Sequence, residues 1–97
     1  MYAVILRYKV PLAVIETHLA AHRQWVKAQY AAGTFLVSGP QRPRLGGFIL
    51  TVAMERAALD RILAADPFHA NDLADYEVID VAATSADDRL SFLVEGA

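Results

Sequence analysis

The sequence predicts an α+β domain with the element order β-α-β-β-α-β, and three observations carry that expectation. Between residues 11 and 33 apolar side chains recur at alternating steps of three and four, the period of an amphipathic helix. Runs rich in β-branched and aromatic residues, bounded by Gly, Pro and Ser, flank that helix as strands. A second helical period over residues 55–65 then precedes a last strand. Four strands and two helices in this order give the split βαβ, or ferredoxin-like, arrangement, in which the helices cover one face of an antiparallel sheet.

The first element is the strand Tyr2–Tyr8, since MYAVILRYKV has no basic stretch ahead of its apolar run and reads as a strand rather than a leader. In the helix that follows, Leu12, Ile15, Leu19, His22 and Val26 form the core-facing stripe, and Glu16, Arg23, Gln24 and Lys27 fall outside it. Pro11 suits the first turn and Gly33 a left-handed cap. Residues 34–38 form the second strand, which Gly39-Pro40 should end. A loop, residues 41–45, leads through Gly46-Gly47 into a third strand at 48–53; Gly39 and Gly46 read as turn formers, and Gly47 as a place where a ligand or strand approaches closely. The helix at 55–65 turns Ala58, Leu59, Ile62 and Leu63 inward. Asp66-Pro67 then starts a short helical turn over residues 67–72, and the fourth strand occupies 76–81. One domain spans residues 1–97, with its core in 1–82 and a tail, 83–97, whose Leu90, Phe92 and Leu93 should dock on the domain or on a second subunit.

Composition narrows the function classes. A chain of 97 residues buries about two thirds of its unfolded surface, so a hydrophobic content of 56% points to further cover from a partner. Both sheet faces are apolar: Tyr2, Val4 and Leu6 oppose Ala3 and Ile5, and Phe48, Leu50 and Val52 oppose Ile49, with Thr51 the polar interior position. The helix-free face should therefore pack on the same face of a second copy, giving a two-fold homodimer with a shared interior. Without cysteine the chain has no disulfide, thiolate metal site or cysteine nucleophile, and it suits a reducing cytoplasm. No run approaches the roughly 18 apolar residues of a membrane span. A net charge of −2 gives no basic footprint for nucleic acid, although Arg42 and Arg44 form a small cluster.

Two placements are costly enough to point to chemistry. His22 lies on the buried stripe, where an unpaired polar group costs about 1–3 kcal/mol. Asp66 closes a helix, where its charge meets the negative end of the dipole. A carboxylate bonded to one imidazole nitrogen fixes the tautomer and makes the other nitrogen a base near neutral pH. In that reading His22 is the base and Asp66 its orienter, Ser38 or the N–H groups near Gly39 steady an oxyanion, and Arg44 or Arg42 attracts an acidic or phenolic substrate. Tyr8 lines either the pocket or the dimer core. Each role has a plain structural rival: His22 as a core histidine bonded to a carbonyl, Asp66 as an ordinary cap, Ser38 as a strand end. His18 and His22 share a helix face as metal pairs do, and His69 or Asp66 could complete a site, but such spacing is common by chance, so neither metal nor cofactor is expected.

The segments Ala21-His22-Arg23-Gln24-Trp25-Val26, Ala32 to Pro40, Gly46-Gly47-Phe48 and Ala65-Asp66-Pro67-Phe68, in this order and spacing, resemble the YCII-related domain family. The resemblance runs from Met1 to about Ala82. It implies a dimeric α+β barrel whose active-site pocket is lined by the helical histidine, here His22, and the aspartate of the Asp-Pro-aromatic turn, here Asp66, with Ser38 and Gly39 as pocket wall. Tyr8, Arg44 and Phe68 complete the expected ligand-binding set. A related degradative enzyme removes chloride from a hydroxylated aromatic ring, and folds of this shape also serve lactone isomerases and small monooxygenases. The expectation is a small dimeric, cofactor-independent enzyme performing acid/base chemistry, such as dehydrochlorination, isomerisation or hydrolysis, on a small, aromatic-type molecule. The alternative is a non-catalytic dimeric module that binds a small ligand or supports another protein.

Overall fold

Side-chain alternation sets the first strand, β1 (Tyr2–Tyr8): Tyr2, Val4 and Leu6 are buried, while Ala3 and Ile5 on the other side are half-covered. The computed structural model, which describes residues 1–95, continues through α1 (Leu12–Thr17), α2 (Leu19–Ala31), β2 (Phe35–Pro40), β3 (Gly46–Thr51), α3 (Arg56–Ala64), α4 (Pro67–Ala70) and β4 (Ala74–Asp80), and ends in a 3₁₀ helix, Asp88–Leu93. The strands form one antiparallel sheet in the order β2-β3-β1-β4. Ile15, Trp25, Leu59, Leu63 and Phe68 from the helices meet Val4, Leu6, Phe35 and Ile49 from the sheet in one core. The chain is therefore α+β, a four-stranded antiparallel sheet with helices, as its periodicities predict.

Three local expectations need correction. The stripe from Leu12 to Val26 does not belong to one helix, because the chain breaks at His18 (φ −104°, ψ 4°). Thr17 Oγ1 bonds back to the Ala13 carbonyl at 3.0 Å, and the His18 N–H takes the Ile15 carbonyl, three residues back, at 3.0 Å. Back-bonding of this kind loosens and bends a helix. Across the break Leu12 is exposed, Ile15 is fully buried and Trp25 joins the core. Gly33 does take the left-handed conformation of a cap (φ 77°).

The second correction concerns Gly39-Pro40, which continues β2 instead of ending it, with Gly39 opposite Phe48 and Pro40 opposite Gly47. β2 is an edge strand, where a missing N–H interrupts no ladder on the open side. The third concerns the glycine pair at the head of β3. A Cβ on Gly46 would stand 1.7 Å from the Leu6 carbonyl oxygen, whereas one on Gly47 would reach only ordinary contact, 3.4 Å from the Gly39 oxygen. Close strand approach therefore falls on Gly46, not Gly47.

The helix-free face carries a continuous apolar band. Ala3 pairs with Leu50 and Ile79, Ile5 with Phe48, and Val37 with Leu50, so the band crosses all four strands. Val37, Phe48 and Ile79 on it are exposed in the single chain. Beyond β4 the segment bonds to itself through Glu95 N–H and the Ala83 carbonyl at 2.9 Å. Leu90 and Phe92 are exposed there, 44% and 64%, and the last two residues of the expected tail lie outside the described residues.

Gly46→Ala should cost about 3 kcal/mol or more, since the obstacle is backbone that cannot rotate away. Denaturant unfolding of the two proteins checks this, with Gly47→Ala as the milder comparison.

Candidate active site

The ends of α2, α3 and β4 converge on one carboxylate. Asp66 leaves α3 in an extended conformation and caps α4, its Oδ1 accepting the Phe68 N–H at 3.0 Å. The same oxygen lies 2.7 Å from His22 Nδ1 on α2. Its other oxygen accepts the Tyr76 hydroxyl of β4 at 2.5 Å. Asp66 is completely buried, whereas the His22 side chain retains 16% exposure. An ionised carboxylate only accepts hydrogen bonds, which suits three donors from three elements. With Nδ1 donating to Asp66, the imidazole Nε2 is the nitrogen left to carry the lone pair.

Packing fixes the plane of the imidazole. Its ring stacks on Phe68 with centroids 4.0 Å apart and planes 4° from parallel. Trp25 leans on it at 5.5 Å, and the Trp25 indole N–H donates to the Ile62 carbonyl at 3.0 Å, tying α2 to α3. Tyr8 meets Phe68 edge to face at 6.0 Å.

The exposed edge of His22 opens on a cavity of about 260 Å³. Of the residues expected at the site, Tyr8, His22, Ser38, Gly39, Arg44 and Phe68 line it; Asp66 stands behind His22, outside the wall. Leu6, Leu19, Val26 and Ile49 supply an apolar lining, and Arg23 joins Arg44 at the rim. Arg42 points elsewhere: it is exposed in the loop and forms no part of the wall, so of the two arginines considered only Arg44 is placed to meet a ligand. Since a cavity of about 150 Å³ accommodates benzene, this one has room for a substituted single ring. Among the described residues no group of three His, Cys, Asp or Glu side chains could hold a metal ion.

A family model for the YCII-related domain matches residues 1–82. The chain belongs to the YCII-related domain family. Among curated proteins none matches it significantly. Among solved structures, it is similar to 5-chloro-2-hydroxyhydroquinone dehydrochlorinase from Burkholderia phenoliruptrix AC1100, determined in complex with 2,5-dihydroxybenzoquinone. The TM-score is 0.71 at 22% identity, over 86% of this chain and 95% of that one. At that identity the likeness establishes a shared fold. No helix among the described residues is long and apolar enough to cross a membrane.

Two members of the YCII-related site escape a reading of the sequence. Tyr76 reaches Asp66 only because β4 lies beside β1, with Tyr76 opposite Leu6 on the helix-covered face. Tyr30 bonds the Ser38 hydroxyl at 2.6 Å from the last turn of α2, fixing a side chain of the cavity wall. The alternation of Tyr76 with Val78 marks a face, but nothing local marks the carboxylate ten residues back as its partner.

Burial, followed by the neighbouring Asp66 charge and hydrogen bond, pushes the Tyr76 hydroxyl far above its ordinary value of 10.0, so it stays a neutral donor. The unfolded chain ionises this hydroxyl near pH 10.0 and the folded chain only well beyond it. Its contribution to stability is thus intact below that pH and drains away as pH rises further. Tyr76→Phe should lower stability by about 1.5–3 kcal/mol near neutrality, the loss of a bond to a charged acceptor. It should also flatten the alkaline decline; thermal melts from pH 7 to 11 give both quantities.

Proposed function

We propose that this YCII-related domain is a small homodimeric enzyme that moves a proton on a single-ring organic substrate, with His22 as the base and Asp66 as its orienter. The observation that carries this reading is the 2.7 Å contact between His22 Nδ1 and Asp66 Oδ1 in a histidine that itself lines a cavity. A merely structural histidine needs no such opening. Because Asp66 holds the Nδ1 proton, Nε2 can take a proton from a molecule in the cavity, and the buried carboxylate stabilises the imidazolium that results. Stacking on Phe68 keeps the ring aligned without blocking that edge.

Elimination of hydrogen halide is the reaction this arrangement fits best. His22 removes one proton as the halide departs with the electron pair of its bond to carbon, so the net change is loss of HX. In this reading Ser38, bonded to Tyr30, and the backbone at Gly39 steady a developing oxyanion, and Tyr8 and Phe68 flank the ring; all four line the cavity. Support for this class comes from the structurally similar dehydrochlorinase, whose stated substrate is a chlorinated hydroxyhydroquinone. Isomerisation or hydrolysis would use the same proton transfer.

Dimerisation follows from the apolar band on the helix-free face, including exposed Val37, Phe48 and Ile79. Two ferredoxin-like units packed through those faces would form an α+β barrel, with the exposed Leu90 and Phe92 of the tail available to the partner.

Chloride release from 5-chloro-2-hydroxyhydroquinone tests the chemistry. Wild type should release chloride, and His22→Ala should be slower by about 10²–10⁴-fold. Asp66→Asn should also be slowed, with the histidine present but wrongly steered. Equal rates in wild type and His22→Ala would end the assignment, and ligand binding without any turnover would favour the non-catalytic module. A charge placed on the band by Ile5→Glu should convert a dimer into a monomer, as read by light scattering after size exclusion.

A further inference from the structure

We infer that the cavity selects small planar organic anions and that Arg44 reads their charge. The inference rests on the acid/base reading of the same cavity and adds the class of molecule that enters it. Although the chain as a whole carries a net charge of −2, the cavity wall contains the guanidinium groups of Arg23 and Arg44 and no carboxylate. The acid bonded to His22, Asp66, is fully buried behind the imidazole and already engaged by three donors. A negative ligand thus meets two arginines and no acid among the wall residues.

Arg44 is the better placed of the two. Its Nε is buried without a hydrogen-bond partner, so no internal acceptor holds that end of the guanidinium. Its Nη1 lies 3.6 Å from Glu16 Oε1, with the two side chains 34% and 57% exposed. That separation is well beyond the roughly 2.7–2.9 Å of a charge-assisted hydrogen bond, so Glu16 holds the guanidinium loosely. A planar guanidinium fork matches two oxygens of a carboxylate, or an ionised ring hydroxyl beside a carbonyl. The apolar Leu6, Val26 and Ile49 would receive the ring that bears them.

Binding of benzoate and its neutral isostere benzamide, followed by calorimetry and by NMR shifts at His22 and Arg44, tests this on the full chain. Benzoate should bind in the cavity at least about tenfold more tightly than benzamide. Arg44→Gln should erase that preference, and Arg44→Lys should retain part of it because the charge remains without the fork. Glu16→Gln, which frees Arg44 from its loose partner, should tighten benzoate binding by about two- to fivefold. Equal affinity for the two compounds, a preference that survives in Arg44→Gln with an unchanged melting temperature, or no benzoate binding at the cavity would each overturn the inference. Benzoate preference in a wild-type protein that releases no chloride supports anion selection while removing the catalytic reading, so the two failures are separable.

Discussion

A completely buried carboxylate is the constraint on which the rest of this structure depends. An isolated charge in that position would be prohibitively costly, and removing one partner of such a group leaves the remainder uncompensated. Asp66 is tolerated because donors arrive from three places: the imidazole of α2, the backbone at the start of α4 and the hydroxyl of β4. Those segments are separated in sequence and packed on different sides of the same residue. The carboxylate thereby fixes the mutual position of two helices and a strand, and the core formed by Phe68, Trp25 and Leu63 gathers around it. Its role as a helix cap and its hold on the imidazole are not competing descriptions. They use the same oxygen.

How much of this was legible in the sequence depends on whether the relevant energy is local. His22 and Asp66 stand out because each residue type is expensive where the periodicity puts it, and that cost is visible without coordinates. The strand β1 and the helix α3 are likewise set by their own alternation and period. The break at His18 is not, because Thr17 competes for the Ala13 carbonyl through a bond that an apolar stripe does not register. Pro40 reads as a strand breaker until the sheet order places β2 at an edge. Tyr76 carries no local sign of its partner at all, since its bond to Asp66 exists only after β4 has paired with β1.

The sheet separates two kinds of surface, yet they meet at one point. Ile49 and Thr51 face the helices, whereas Phe48 and Leu50 face the apolar band, as strand alternation requires. Phe48 is nevertheless among the residues that line the cavity. A second copy seated on the band would immobilise Phe48 and with it one wall of the cavity. In the proposed dimer, the association face and the cavity would share that residue.

Charge placement gives the same separation a chemical purpose. Were Asp66 part of the cavity wall, its full charge would face any incoming oxyanion across a medium of low dielectric, where repulsion is strong. Instead it lies behind the imidazole and contacts one of its nitrogens. Arg44, by contrast, stands in the wall with a donor lacking an acceptor. The acid is thus held inside the core against the imidazole, and the guanidinium lies in the cavity wall.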